Sequence, residues 1–221
     1  MSEAPLPAAV VFDLDGTLVD TADDFIPVVQ QLQAENGVAP IAPERIRQSV
    51  SNGARALVCL GLNLEPEDPL VEVHRLRLLE LYERILGQHA RLYPGMEQLL
   101  RRLEVQQIPW GIATNKPRAY TVPLLQTLGL APGSVTCPDD VAQPKPHPEA
   151  LWLACRQLDC EPVASVYVGD HRRDIDAGRA AGMRTVAAAY GYLEPGDDAD
   201  AWGADALVRC STEVEACLFP I

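Results

Sequence analysis

Apolar residues fall along the chain in two alternating rhythms. Short continuous runs bounded by turn residues recur at Ala9 to Phe12, Ile108 to Ala113, Val135 to Cys137, Ser165 to Val168, Thr185 to Ala189 and Ala206 to Val208. Runs that are apolar throughout, such as Val10-Val11-Phe12 and Val166-Tyr167-Val168, predict strands buried on both faces. Between most of them lie stretches of helical character: Met96 to Val105, Arg118 to Leu128, Pro148 to Leu158 and Asp174 to Ala181. Strands alternating with helices predict an α/β fold, a doubly wound, Rossmann-like parallel sheet covered on both sides.

One region breaks the rhythm. From about Thr21 to Arg91 no segment reads as a strand, and the apolar positions take helical spacing. Asp24 to Glu35 places Phe25, Val28, Val29 and Leu32 on one helical stripe, and Leu70 to Leu86 repeats the signature with Arg and Glu between. The simplest architecture is a catalytic-type core of residues 1–20 and 92–221, interrupted after its first strand by an all-helical cap of residues 21–91. No internal repeat or low-complexity tract is present, and the acidic stretch Glu194 to Asp200 reads as a solvated loop.

Composition narrows the partners. The 221 residues suffice for a sizeable core plus an insert, and 48% hydrophobic with 22% charged residues is ordinary for a globular chain. A net charge of -13 and a pI of about 4.6 argue against nucleic acid or an anionic membrane surface and leave a small molecule. The opening MSEAPLPAAV lacks the charged and apolar regions of a leader, and no run reaches bilayer length, so a cytoplasmic location is expected. Six cysteines without Cys-x-x-Cys or zinc spacing are expected to be reduced and mostly in the core. Monomer and homodimer both remain open.

Candidate chemistry sits where an open parallel sheet binds ligands, beyond the carboxyl ends of its strands. The first strand ends in Asp13-Leu14-Asp15-Gly16-Thr17 and the second in Thr114-Asn115-Lys116. Lys145 lies between prolines ahead of the Pro148 helix, and Val166-Tyr167-Val168 runs into Gly169-Asp170, with Asp174 four residues on. At strand period two, the Asp13 and Asp15 carboxylates would share a side and raise each other's pKa. A divalent cation removes that conflict, and Asp170 and Asp174 add the hard oxygen ligands that Mg²⁺ prefers. Of 18 basic residues only Lys116 and Lys145 are lysines, and both precede proline. At Lys145 the rigid flanks reduce the entropy lost in placing a compact positive charge beside a carboxylate and a phosphate. Thr114 either donates its hydroxyl to a phosphoryl oxygen or caps the next helix; Asn115 is a weaker candidate, and His147 and His171 read as turn residues.

These four elements, in this order and spacing, resemble the haloacid dehalogenase superfamily of phosphotransferases, in the subgroup with a helical cap after the first strand. The likeness runs from Ala8 to about Leu218. It implies that Asp13 is a nucleophile and Asp15 the acid/base, and that Thr114 and Lys145 hold the phosphoryl group. It further implies Mg²⁺ on the Asp13 carboxylate, the Asp15 backbone carbonyl and Asp170, with Asp174 supporting the metal or Lys145. Specificity is expected from the cap, where Ser51, Asn52, Gly53 and Arg55 form a glycine-containing break before a helix, with Asn115 as a core-side contact.

Other activities of the superfamily fit less well. A dehalogenase does not need Asp15 as proton donor, and phosphonate cleavage needs a cap lysine that this chain lacks; a mutase is disfavoured on similar grounds. A non-catalytic binding module would have no reason to retain Asp13, Asp15, Lys145 and Asp170 together. The expectation is therefore a Mg²⁺-dependent phosphomonoester hydrolase acting on a small phosphorylated metabolite. SNGARALV, WGIATNKP, CPDDV and YGYLEPGDDADAWGAD resemble phosphatases of bacterial cell-wall sugars more than those of phosphoglycolate.

Overall fold

The structure, a computed structural model, describes residues 6–219. The first five residues, part of the stretch expected to lack a leader, and the last two lie outside the described residues. All six predicted strands are present: β1 (Val10–Phe12), β4 (Trp110–Ala113), β5 (Ser134–Thr136), β6 (Val166–Gly169), β7 (Arg184–Ala188) and β8 (Ala206–Val208). They form one parallel sheet in the order β5-β4-β1-β6-β7-β8, so β1 lies between β4 and β6 where the winding reverses.

The uninterrupted apolar character of the strands has a direct cause. Successive side chains point to opposite faces, and both faces are covered. Val10 and Phe12 pack with Met96, Leu99 and Leu103, whereas Ala9 and Val11 pack on the other side with Leu151, Ala154 and Ala177. The helices that supply these contacts are α5 (Met96–Val105), α7 (Glu149–Gln157) and α8 (Arg172–Ala181), with α6 (Arg118–Thr127) completing the expected set. α5 shows why the pattern was readable: Met96, Leu99, Leu100 and Leu103 are its buried positions.

The insert consists of α1 (Ala22–Glu35), α2 (Pro43–Ser49), α3 (Gly53–Leu62) and α4 (Leu70–Ile85). Its helices share an apolar cluster that includes Phe25, Val29, Leu32, Ile46, Leu57 and Leu78. α2 and the C-terminal α9 (Val214–Leu218) are too short to show a full helical stripe, and neither is predicted by spacing. A second omission lies at the junction, where β2 (Val19–Asp20) and β3 (Arg91–Leu92) form an antiparallel ribbon. Strands of two residues carry no periodicity. The cysteines are free as expected, but only Cys137 and Cys155 are buried; Cys59, Cys160 and Cys217 are half-buried and Cys210 is exposed. The Glu194 to Asp200 stretch is an exposed loop apart from Ala199. Among the described residues, no helix is long and apolar enough to cross a membrane.

Asp24 ties the ends of the insert together. Its buried carboxylate accepts the backbone N–H of Gly87 at 2.7 Å and of His89 at 2.8 Å, joining the start of α1 to the chain just beyond α4. Removing the acceptor leaves two N–H groups without it, one of them buried. Asp24→Ala is expected to lower unfolding free energy by about 2–4 kcal/mol, measured by denaturant titration at neutral pH.

Candidate active site

The site forms at the carboxyl ends of β1, β4 and β6. Asp13 follows β1 and is fixed by its own N–H, which donates to the Val168 carbonyl at 2.9 Å. Leu14 turns into the core and is fully buried. Gly16 then reverses the chain at a φ of 86°, a left-handed conformation that glycine adopts without strain. Glycine is also required for space, since a Cβ there would lie 2.1 Å from Asp170 Oδ2.

Lys145 is the hub. Its buried Nζ lies 2.8 Å from Asp13 Oδ1 and 2.7 Å from Asp174 Oδ1, and it also reaches the Ala113 carbonyl at 2.9 Å and the Tyr167 hydroxyl at 2.8 Å. Burial works against this ammonium, but Asp13 and Asp174 outweigh it and hold the pKa above its ordinary value. The Lys145 loop is positioned by Asn115, whose Oδ1 accepts the Lys145 N–H at 3.1 Å while its Nδ2 donates to the Lys145 carbonyl at 3.0 Å. Asn115 therefore acts on its neighbour's backbone, although it also borders the cavity. Thr114 lines the cavity as well, and its hydroxyl oxygen accepts the Lys116 N–H at 3.1 Å.

The two aspartates of the first motif have different surroundings. The Asp15 carboxylate takes Oδ1 contacts from Thr21 Oγ1 at 2.6 Å and from Lys116 Nζ at 3.1 Å. Each carboxylate of the pair thus has a buried lysine beside it, Lys145 at Asp13 and Lys116 at Asp15. Lys116 shares with Lys145 the rarity that singles that residue out, but nothing in the sequence pairs it with Asp15. Tyr167 and Arg173 were also missed, being an ordinary strand aromatic and one of sixteen arginines.

Carboxylate oxygens of Asp13, Asp170 and Asp174 lie within 4.8 Å of one another, all three residues being buried. The carboxylate of Asp15 is outside this group. Burial pushes the Asp13 carboxyl up to about 6 despite Lys145, and pushes Asp170 up to about 8 with Asp13 and Asp174 adding to the shift. Four carboxylates here face only two ammonium groups. A divalent, oxygen-preferring cation fits both the donor set and the missing charge. Asp174 already has both oxygens engaged, Oδ1 by Lys145 and Oδ2 by the His171 N–H at 3.1 Å, which suits a support better than a direct ligand. His171 caps α8, in keeping with its turn reading.

From the cap side, Ser51 Oγ donates to Asp170 Oδ2 at 3.2 Å, and Arg173 donates to the Ser51 carbonyl at 2.9 Å. Asn52 Nδ2 donates to Glu194 Oε1 at 2.6 Å, closing the loop against the core. Gly53 and Arg55 border the same cavity, with Arg55 donating to the Pro66 carbonyl. The cavity has a volume of about 570 Å³ and runs from Asp13, Asp15 and Lys145 to a wall of Phe25, Leu76, Leu79, Tyr82 and Tyr120.

Residues 10–188 match the model of the haloacid dehalogenase-like hydrolases, and the chain belongs to that family. Among curated relatives, the N-acetylmuramic acid 6-phosphate phosphatase of Pseudomonas putida is 46% identical over 90% of this chain and 91% of its own length. A phosphoglycolate phosphatase of Xanthomonas campestris pv. campestris is 40% identical over 92% of both chains. Both names agree with the phosphomonoester hydrolase expected from the motifs. The crystal structure of a predicted phosphoglycolate phosphatase from Haemophilus somnus 129PT superposes with a TM-score of 0.81 at 22% identity, covering 94% of this chain and 96% of that one, which supports the capped fold.

The tight turn at Gly16 offers a test of the geometry. In Gly16→Ala the new methyl group must displace the Asp170 carboxylate, so phosphate release from a small phosphomonoester is expected to fall about a hundredfold. The same variant is expected to melt earlier than the parent in a thermal scan, because alanine is strained at positive φ.

Proposed function

We propose that this enzyme hydrolyses N-acetylmuramic acid 6-phosphate to N-acetylmuramate and phosphate, a step of peptidoglycan recycling, with residues 21–91 closing as a cap over the core. The observation that carries this reading is the cavity beyond the paired aspartates. At about 570 Å³ it is of the size that takes up a whole small molecule. Its wall of Phe25, Leu76, Leu79 and Tyr120 suits the apolar faces of a hexose and its acetyl methyl, and Arg55, Arg75 and Arg173 suit the carboxylate of the lactyl ether. A two-carbon phosphoglycolate would touch only a small part of that surface.

The contacts of the chain's residues support the chemistry assigned to each. Asp13 Oδ1 is held by Lys145, which leaves Oδ2 to attack phosphorus. The bond from phosphorus to the sugar oxygen breaks as the bond to Asp13 forms, giving an aspartyl-phosphate. Asp15 protonates the departing sugar oxygen and then takes a proton from the water that releases phosphate. Because Asp15 Oδ1 already accepts two hydrogen bonds, Oδ2 is the oxygen that carries this proton. Lys145 and the Thr114 hydroxyl balance charge on the phosphoryl oxygens, and Lys145 itself is held by Asp174. Mg²⁺, held by Asp13, Asp170 and the Asp15 backbone carbonyl, would supply further charge neutralisation at the transferring group.

Two measurements test the reading. Asp13→Asn is expected to abolish Mg²⁺-dependent phosphate release while leaving the circular dichroism spectrum unchanged, and EDTA is expected to silence the parent enzyme; retained turnover in the variant would refute covalent catalysis at Asp13. In one preparation, kcat/KM for N-acetylmuramic acid 6-phosphate is expected to exceed that for 2-phosphoglycolate by at least about tenfold, or ~1.4 kcal/mol. The reverse preference would assign the enzyme to phosphoglycolate, and no release from any phosphomonoester would point to a binding module.

A further inference from the structure

Two buried polar groups at the seam between α4 and the core are left under-satisfied. Tyr82 is 1% exposed, and its hydroxyl has no hydrogen-bond partner among the described residues. Buried hydroxyls are nearly always paired, so an orphan of this kind calls for a reason. Lys116, its neighbour, is also buried and close enough to bear on the same hydroxyl. Among the described residues its one well-formed hydrogen bond goes to Asp15, at 3.1 Å, and the Tyr82 hydroxyl lies at the margin of its reach. Its remaining charge faces the rings of Tyr82 and Phe25, at 4.8 and 5.1 Å from their centroids. Ring faces attract a cation but accept N–H bonds weakly.

The ring that carries the orphan hydroxyl is held on two sides. Tyr82 stacks on Phe25 at 4.2 Å with an interplanar angle of 11°, and Tyr120 of α6 packs against it at 5.9 Å. The hydroxyl therefore has no freedom to swing out to solvent, and both Tyr82 and Lys116 border the cavity that contains Asp13 and Asp15. A hydroxyl and an ammonium, side by side with donor protons to spare, are complementary to one electron-rich oxygen.

We infer that Tyr82 and Lys116 form a subsite for an acceptor oxygen of the leaving group, an amide carbonyl or a carboxylate, which the substrate brings to the seam between cap and core. This inference rests on the phosphatase reading above and adds a recognition site to it. Only a bound substrate completes the hydrogen bonding of both groups, so the penalty of the unpaired state is relieved on binding. Tyr82 is thereby a specificity residue, and Lys116 links recognition of the leaving group to Asp15.

Tyr82→Phe isolates the hydroxyl while keeping the aromatic stack. Its kcat/KM is to be compared with the parent's on N-acetylmuramic acid 6-phosphate, N-acetylglucosamine 6-phosphate, 2-phosphoglycolate and phenyl phosphate, whose leaving group has no second oxygen. The loss on the best oxygen-bearing substrate is expected to exceed the loss on phenyl phosphate by about tenfold or more, mainly in KM. A loss shared by N-acetylglucosamine 6-phosphate assigns the acetamide oxygen, and one confined to N-acetylmuramic acid 6-phosphate or phosphoglycolate assigns the carboxylate. The ligand-free variant is expected to melt at or above the parent's Tm, because an unpaired hydroxyl has been removed from the interior. Equal losses on all substrates, no loss on any, or a Tm several degrees lower would each overturn the subsite. The parent's own preference among these substrates tests the proposed function separately, since a parent that favours phosphoglycolate still yields the Tyr82 ratio.

Discussion

The central constraint of this molecule is one buried ammonium shared by two buried carboxylates. Lys145 Nζ joins Asp13 after β1, Ala113 in β4, Tyr167 in β6 and Asp174 in α8. Charges taken out of water are tolerated only when each is met by an opposite charge and by hydrogen bonds in good geometry. That requirement dictates where three strands and a helix must end relative to one another. The parallel sheet meets it by placing β1 between β4 and β6, so that three carboxyl ends open on the same point.

The second lysine repeats the principle under different control. Lys116 compensates Asp15 as Lys145 compensates Asp13, but the aromatic surfaces beside Lys116 come from α1 and α4 of the insert. The direct hydrogen-bond partners of the proposed nucleophile, Lys145 and Val168, both belong to the core. Those of the proposed proton carrier are completed by the insert. A change in how the insert sits would therefore reach Asp15 through Lys116 and the Asp13 cluster through the Ser51–Asp170 contact.

The doubly wound sheet was legible because its strands are apolar on both faces and its helices carry unbroken stripes, as in β1 and α5. The pair β2 and β3 was not, since two residues show no rhythm and their pairing depends on residues some seventy positions apart. At the site, Asp13, Asp170 and Asp174 were readable from their places at or just beyond strand ends and Lys145 from its scarcity and flanking prolines, and the structure brings all four together. Lys116 left a signal in the scarcity of lysine that was spent on Lys145 alone. Tyr82 left none: in sequence it is one apolar position on an amphipathic helix, and only the packing around it shows that its hydroxyl lacks a partner.

The small ribbon of Val19–Asp20 and Arg91–Leu92 has a consequence for the history of such a chain. Because the insert leaves and rejoins the core through neighbouring, paired strands, its two ends emerge side by side. Lengthening, shortening or exchanging everything between them requires no strand of the six-stranded sheet to move. The strand ends that carry Asp13, Asp170 and Lys145's partners can thereby stay in place while the enclosed segment varies, much as a tool keeps its handle through a change of blade.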